Sequence, residues 1–161
     1  PTVEGITTTL VETAEEMAAV LELEFPHSDA LIMSAAVADA KVANYSEAKI
    51  RKESLNRVDL AKNPDILKSL STNKKLNQII IGFAAETSED LAMLEENGRA
   101  KLASKSLDLI YVNNVTNGAV FGSNFTQGLI IDRDMNVIKV PEISKDTLSD
   151  ILLDQLVSKL G

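Results

Sequence analysis

The sequence contains no cysteine and a single histidine, His27. Without cysteine the chain has no disulfide, no thiolate metal ligand and no cysteine nucleophile, a composition that suits a reducing compartment. One histidine cannot build a histidine-based metal centre. We therefore expect a cytoplasmic protein without a zinc-type site.

Positive charge and long apolar runs are also scarce. The chain has 16 Lys and Arg against 24 Asp and Glu, a formal net charge of −8, whereas partners such as nucleic acid or anionic lipid require a basic face. Apolar runs such as Ile79–Ile81 are far shorter than the ~20 residues of a membrane-spanning helix. The first residues do not show a basic leader followed by an apolar core, so the sequence does not predict a secretory signal. We expect no nucleic acid and no membrane partner, and cations that bind phosphate must be gathered locally.

Several continuous apolar runs predict buried strands. Ala30–Ala35, Gln78–Phe83 and Leu109–Val112 are predominantly apolar rather than alternating, and helical patterns separate them, which is typical of parallel strands covered on both faces. Gly128–Asp132 and Val137–Val140 flank a polar turn and predict a hairpin. The pattern predicts a Rossmann-like three-layer α/β fold, with a mainly parallel sheet and an antiparallel hairpin at its edge.

Local signals place further elements. The Thr-rich segment Val3–Val11 alternates imperfectly and predicts a strand. Thr13 followed by Glu16 forms a capping box for a helix that should end before Pro26. Ser144 is the expected cap of the last helix.

Two more helices are predicted in the middle of the chain. Asn63 is a natural N-cap with Pro64 at the first helical position. The next helix should start near Ser88 and reach Lys105, with a break predicted at Gly98, because glycine costs about 1 kcal/mol inside a helix.

Candidate binding residues follow the predicted strands, where parallel sheets bind ligands. Met33, Ser34 and Ala35 end one strand, and their small, backbone-rich surface can accept a nucleotide base or phosphate, while Asp39 can bind Mg²⁺ that accompanies a triphosphate. Lys49 lies in a polar loop, where a mobile cation can close over a phosphate. The alternatives are an ordinary strand-to-loop junction with Asp39 as a turn cap, and a solvated basic loop.

Further candidates carry the same ambiguity. Phe83 lies after a glycine in Gly82–Thr87 and can cover a pyrimidine ring, or it can be an ordinary core residue. Lys101 and Lys105 share one helix face and can address a nucleotide together, or they can simply stabilise the helix C-terminus.

The order of these motifs carries a resemblance to a known family. They are Ser34–Asp39, Lys49–Lys52, Asn63–Leu67, Gly82–Thr87, Lys101 with Lys105, Leu107–Ile110 and Asn113–Val115. In this order they resemble the synthetase half of bacterial phosphopantothenoylcysteine decarboxylase/synthetase. The resemblance implies CTP-dependent ligation of 4'-phosphopantothenate to cysteine, through an acyl-cytidylate intermediate, in coenzyme A biosynthesis. It also implies Mg²⁺ as cofactor, a homodimer, and FMN only on a separate decarboxylase domain.

The resemblance assigns roles to individual residues. It makes Lys49 the catalytic cation, in contact with the CTP phosphates, and Asp39 the metal ligand. The nucleotide-binding residues that it implies are Met33, Ser34, Ala35, Asp39, Lys49, Pro64, Asp65, Ile66, Leu67, Phe83, Lys101 and Lys105. Within Asn63–Leu67 these contacts are compatible with a plain helix start, and both interpretations can hold together.

Two differences from the family pattern qualify the resemblance. Asn114 stands where an acidic residue is expected, and we assign it no role. The family's N-terminal glycine-rich segment, which forms the phosphopantothenate and acyl-cytidylate site, has no counterpart in residues 1–161. We therefore expect one N-terminally truncated synthetase domain that binds the nucleotide but is inactive unaided.

Two other function classes stay open. The first is a non-catalytic nucleotide-binding or assembly domain of the same fold. The second, a dehydrogenase, ranks last, because no Gly-x-Gly-x-x-Gly follows any predicted strand. The choice between CTP and ATP is not determined by the sequence.

Overall fold

The computed structural model describes residues 4–46, 48–49, 57–88, 90–116 and 122–161. Its strands are β1 (Ala30–Met33), β2 (Ala40–Val42), β3 (Leu60–Lys62), β4 (Ile79–Glu86), β5 (Leu109–Asn114), β6 (Phe125–Asp132) and β7 (Val137–Ser144). Its helices are α1 (Ala14–Glu24), α2 (Ile66–Asn73), α3 (Leu91–Ser104) and α4 (Lys145–Leu160), and a short 3₁₀ turn, Phe25–His27, follows α1. None of the described helices is long and apolar enough to cross a lipid bilayer.

The main sheet has five strands in the order β1-β4-β5-β6-β7. β1, β4 and β5 pair in parallel, β5 pairs antiparallel with β6, and β6 antiparallel with β7. Four of the strands therefore run in one direction, and the β6–β7 hairpin lies at one edge. The predicted fold class is confirmed, including the hairpin.

Successive residues of the central strands face two different helix layers, as strand geometry requires. Ile80 and Ile110 belong to a core shared with α1, α2 and α3. Ile81 and Tyr111 belong to a second core, which Leu148 and Leu152 of α4 complete. The sheet is thus the middle of three layers, and burial on both faces explains why its strands are apolar without alternation.

β1 is shorter than predicted, since it ends at Met33 and not at Ala35, whereas β4, β5, β6 and β7 extend beyond their predicted bounds. β4 continues to Glu86 and β5 to Asn114, because Ala84–Glu86 pair with Val112–Asn114. The hairpin strands likewise extend to Phe125 and Ser144. Many residues in these extensions are small or polar and do not show the apolar pattern that predicts a strand. Backbone hydrogen bonds to the neighbouring strands, and not side-chain burial, keep them in the sheet.

Two parts of the prediction near the chain's beginning and middle are wrong. Residues 4–11 are not a strand, and Val3 lies outside the described residues. A strand needs a neighbour to satisfy its backbone groups, and none of the described strands pairs with this segment. The small antiparallel sheet formed by β2 and β3 was not predicted, because its two three-residue strands are almost entirely exposed.

Two of the three predicted helix caps, Thr13 and Ser144, are present in the structure. Thr13 and Glu16 form the predicted capping box of α1, and the Ser144 hydroxyl accepts from the Thr147 amide at α4. The predicted cap at Asn63 is wrong: α2 starts at Ile66, and the Asp65 carboxylate accepts from the Lys68 amide at 3.2 Å. Asn63 is instead engaged with the loop after β1.

Gly98 does not break α3, contrary to the prediction, since the helix runs unbroken from Leu91 to Ser104. An added Cβ at Gly98 would lie 2.6 Å from Val112 Cγ2 and 2.7 Å from Ile131 Cδ1. The glycine therefore lets α3 approach the sheet closely.

A charged cluster closes the amino end of the sheet. The buried Asp108 carboxylate accepts from the Ile80 amide at 2.8 Å and pairs with the Lys74 ammonium and, at 2.5 Å, with the Arg133 guanidinium. Lys74 is itself almost buried. Asp108, which belongs to one of the family-like motifs, is therefore a structural residue at the end of the sheet opposite the candidate site.

Candidate functional site

A cavity of about 190 Å³ opens where β1 ends, on the side of the sheet that carries α1–α3. Three segments that are distant in sequence converge on it: the loop after β1, the start of α2 and the end of α3. The lining residues are Met33, Ala35, Ala36, Val37, Ala38, Asp39, Asn63, Pro64, Asp65, Ile66, Leu67 and Lys105. Most of the predicted nucleotide-binding residues are therefore brought together here.

The loop after β1 forms one wall. β1 ends at Met33, whose side chain is buried in the core, and residues 34–38 have no regular secondary structure. Its side chains are small, so that a ligand can approach the backbone closely. Asp39 ends the loop just before β2, at the cavity.

The start of α2 forms the facing wall. The Asp65 side chain caps the helix, while the amides of the first helical turn, at Ile66 and Leu67, have no partner within the helix itself. Such amides and the helix dipole favour an anionic group. Asn63 ties this wall to the first, because its Nδ2 donates to Ala38 O at 2.8 Å and its backbone amide to Asp39 O at 2.9 Å.

Lys105 brings a positive charge to the cavity. It is the C-cap of α3, and its Nζ lies 3.3 Å from Asp65 Oδ1. Both side chains are partly exposed, so this ion pair contributes little to stability. An anionic ligand can therefore compete with Asp65 for the ammonium group at low cost.

Lys101 does not line this cavity, although it shares a helix face with Lys105. Its ammonium pairs with the Glu86 carboxylate at the end of β4, and Glu86 also accepts from Asn97 Nδ2 at 3.2 Å. The two lysines thus have different partners. The predicted contact of Lys101 with a nucleotide stays a prediction.

Ser34 and Phe83 line a second cavity of about 470 Å³, on the α4 side of the sheet. The Phe83 ring packs edge-on against Tyr111, with ring centres 5.8 Å apart. The buried Tyr111 hydroxyl bonds to Thr126 Oγ1 at 2.6 Å, and burial raises the pKa of Tyr111. Ala36 lines both cavities, so the two meet at the loop after β1.

Lys49 is exposed and follows a turn in which Ser46 Oγ accepts from the Ala48 amide at 3.2 Å. It is not among the residues that line the two cavities. Its neighbours Arg51 and Lys52 lie outside the described residues. Its assigned contact with phosphate therefore stays a prediction.

Asp39 is one of the residues that line the first cavity, and its carboxylate is the kind of hard oxygen ligand that Mg²⁺ prefers. Among the residues that the structure describes, no three His, Asp or Glu side chains cluster as a metal site. This donor set fits an ion that is held by one carboxylate together with phosphates and water, which is the usual mode for Mg²⁺ with nucleotides.

The structure adds residues that the sequence reasoning left out. Ala36, Val37 and Ala38 line the cavity. Their position in the sequence between the predicted residues Ala35 and Asp39 could have indicated this. Asn63 was predicted to be a helix cap. Its hydrogen bonds to Ala38 and Asp39 join segments that are distant in sequence, so no local sequence pattern predicts them. Asn114, to which no role was assigned, holds Ser88 O through its amide and accepts from the Thr116 amide.

The chain is similar to known proteins in both sequence and structure. The family model described as DNA/pantothenate metabolism flavoprotein C-terminal domain matches residues 1–160. The chain is 34% identical over 152 residues to the coenzyme A biosynthesis bifunctional protein CoaBC of Borreliella burgdorferi, a match that covers 93% of this chain and 37% of the relative. It is 33% identical over 159 residues to a cysteine/cysteine sulfinic acid decarboxylase of an unknown prokaryotic organism, covering 94% and 43%.

A solved structure is similar as well. The crystal structure of the C-terminal domain of a CoaBC protein matches with a TM-score of 0.72 and 28% identity, and the match covers 93% of this chain and 64% of that one. The chain thus spans less than half the length of the two curated relatives and about two thirds of the solved domain.

Proposed function

Since this chain belongs to the DNA/pantothenate metabolism flavoprotein C-terminal domain family, we propose that it is the nucleotide-binding part of a phosphopantothenate–cysteine ligase in coenzyme A biosynthesis. In the proposed reaction the carboxylate of 4'-phosphopantothenate attacks the α-phosphate of CTP, and pyrophosphate leaves. The amine of cysteine then attacks the acyl-cytidylate and displaces CMP. No covalent intermediate with the protein is needed.

The observation that supports this proposal is the convergence of three segments on one cavity. The small residues after β1, the start of α2 and Lys105 face the same space, at the carboxyl end of a parallel strand, where open α/β sheets bind nucleotides. The combination of free helical amides and an ammonium group suits a phosphate-bearing ligand.

The residues of the cavity take distinct roles in the proposal. Lys105 exchanges its ion pair with Asp65 for an ion pair with a phosphate, the amides at the start of α2 donate to a phosphate, and the loop after β1 holds the base and ribose. Asp39 would hold Mg²⁺, which supplies charge neutralisation for the triphosphate when bound. Such a site accelerates the reaction mainly by positioning the reactants and by neutralising charge.

Lys49 and Lys101 belong to the proposal as additional phosphate ligands. Lys49 is exposed on a loop, so it can reach a phosphate only by moving toward the nucleotide of its own subunit or of a neighbouring one. On the family resemblance we also propose a homodimer, together with a decarboxylase domain carrying FMN elsewhere in the full-length protein. The chain alone is expected to bind the nucleotide without turning it over.

Calorimetric titration with CTP and Mg²⁺ tests the proposal. We expect saturable binding by the unmodified chain. The Lys105→Ala variant should bind roughly 10- to 150-fold more weakly, because a charge-assisted hydrogen bond is worth about 1.5–3 kcal/mol.

Lys68→Ala is the matched control, since Lys68 is exposed on α2 and absent from the cavity lining. Its affinity should equal that of the unmodified chain. No saturable binding, or equal affinity in the Lys105→Ala variant, would contradict the proposed nucleotide site. The Lys49→Ala variant tests the loop separately. An unchanged affinity for CTP would mean that Lys49 belongs to a solvated basic loop and does not contact the phosphates.

A non-catalytic domain that binds nucleotide or mediates assembly is the second candidate. It is favoured by the relative named as a cysteine/cysteine sulfinic acid decarboxylase, because a similar domain there accompanies a different activity. A ligation assay with phosphopantothenate, cysteine and CTP separates the two. Product formation by the full-length protein supports the ligase, whereas nucleotide binding without product there supports the second candidate.

A further inference from the structure

Asn63, which lines the candidate nucleotide cavity, has a buried hydrogen-bond acceptor without a partner in the described part of the chain. Its Nδ2 donates to Ala38 O at 2.8 Å, and its backbone amide donates to Asp39 O at 2.9 Å. The acceptor without a partner is the remaining side-chain atom, Oδ1.

The orientation of this side-chain amide is fixed by its surroundings. Ala38 O is an acceptor, so the atom that faces it must be the amide nitrogen, and a reversed side chain would oppose two oxygens. Oδ1 is therefore the free atom. An oxygen in this position can only accept a hydrogen bond.

A buried acceptor without a partner is unusual and unfavourable. The large majority of buried polar side-chain atoms in proteins are hydrogen-bonded, and a buried group left unpaired loses its hydration without compensation. At the lining of a cavity, the simplest source of the missing donor is the molecule that occupies the cavity.

We propose that Asn63 Oδ1 accepts a hydrogen bond from the exocyclic amino group of the nucleotide base, and that Asn63 is a specificity-determining residue. The inference rests on the proposed nucleotide-binding function and adds a base-reading residue to it. Cytosine and adenine present an amino group at the corresponding ring position, whereas uracil presents a carbonyl oxygen. An amide oxygen bonds the first and repels the second.

The loop after β1 lets the ligand reach this atom. Oδ1 is enclosed in the unliganded structure, and the neighbouring wall, residues 34–38, belongs to neither a strand nor a helix. Moving that loop therefore breaks no bond of the β-ladder. In the proposal this loop, which is bonded to Asn63 through Ala38, therefore moves and exposes Oδ1 when the base enters.

A comparison of three ligands on the unmodified chain gives the first test. The ligands, each with Mg²⁺, are CTP, UTP and a 2-pyrimidinone ribonucleoside triphosphate, which is CTP without its amino group. We expect CTP to bind roughly tenfold more tightly than the 2-pyrimidinone analogue, the value of one ordinary hydrogen bond, and UTP to bind more weakly still. Equal affinities for CTP and the analogue would overturn the proposal without requiring any variant.

The same titrations on Asn63→Ala complete a double-mutant cycle. If Oδ1 reads the amino group, the variant binds CTP and the analogue equally, whereas a merely structural role of Asn63 weakens both ligands by the same factor and leaves their ratio unchanged. Asn73→Ala is the control, since Asn73 is exposed on α2 and its side-chain amide donates to Ser69 O in the same helix, and it should keep the ratio of the unmodified chain.

The outcomes distinguish this inference from the proposed function. Saturable CTP binding with no preference over the analogue, or with the same preference in the Asn63→Ala variant, refutes the role of Asn63 and leaves the nucleotide site intact. Absence of binding for all three ligands refutes the nucleotide site, and the base-reading role with it.

Discussion

Asp108 shows at the scale of a single residue how a charge is made tolerable inside the core. Its carboxylate is buried yet has three donors, from the Ile80 amide, Lys74 and Arg133. Of the two cations, Lys74 is almost as buried as the carboxylate, whereas Arg133 is largely exposed. Within the described residues Asp108 is the only counter-ion of Lys74, so the buried lysine depends on it for charge compensation, whereas Asp108 also has Arg133.

Replacing Asp108 should thus be costly. Asp108→Ala leaves the Lys74 ammonium buried without its counter-ion, and we expect a loss of about 3–5 kcal/mol in the free energy of unfolding, measured by urea denaturation. Asp108→Asn, which keeps an acceptor for the Ile80 amide, should lose less.

Asp150→Ala provides the control, because Asp150 is exposed on α4 and such surface changes usually stay within about 0.5 kcal/mol. If Asp108→Ala proves no more destabilising than Asp150→Ala, the buried pair is not a stabilising feature of the fold.

At the scale of an element, α3 illustrates why a helix tolerates an unfavourable residue. Glycine lowers its intrinsic stability, but the missing side chain lets the helix lie against Val112 and Ile131. Tertiary contact along Leu94, Gly98 and Leu102, all buried, outweighs the local cost. Local propensity alone therefore predicts a helix break at Gly98, where the fold instead requires close contact between α3 and the sheet.

Gly98→Ala should therefore destabilise the protein, although alanine is the better helix former. The added Cβ would meet two side chains at 2.6 and 2.7 Å, and overpacking of this kind typically costs about 1–3 kcal/mol. Urea denaturation measures the change.

A Val112→Ala background removes one of the two clashing groups, so Gly98→Ala should cost less there than in the unmodified protein. A Gly98→Ala variant as stable as the original, or more stable, would show that α3 can move away from the sheet without penalty.

At the scale of the whole molecule, stability is distributed unevenly. β4 and β5 lie inside the five-stranded sheet, and Ile80, Ile81 and Val112 are fully enclosed. β2 and β3 form a separate two-stranded sheet that is mostly exposed, and an isolated pair of strands is marginally stable at best.

Amide hydrogen exchange should report this difference. We expect the slowest exchange, governed by global unfolding, in β4 and β5, and exchange faster by orders of magnitude in β2 and β3, which can open locally. Comparable rates at Lys41 and Ile81 would mean that the small sheet is joined to the core more tightly than its exposure indicates.

The sequence predicts those parts of the fold in which local and tertiary preferences agree. Apolar runs locate β1, β4 and β5, and the caps at Thr13 and Ser144 are correct, because burial and helix-end chemistry are written in the residues themselves. Most cavity residues were predicted through the resemblance to a family. The cap at Asn63, the strand at Val3–Val11 and the break at Gly98 failed, because each depends on what a distant segment offers as a partner.

The close contact of α3 with the sheet at Gly98 also determines the direction in which residues at the C-terminal end of the helix point. Lys105 follows Gly98 by seven positions, which is about two turns and roughly 10 Å along the helix axis. The contact at Gly98 therefore fixes the side of the helix on which Lys105 lies. Removing one residue between the two would turn Lys105 by about 100° and carry its ammonium away from Asp65 and the cavity. The number of residues between Gly98 and Lys105 therefore determines where the Lys105 ammonium lies relative to Asp65 and the candidate cavity.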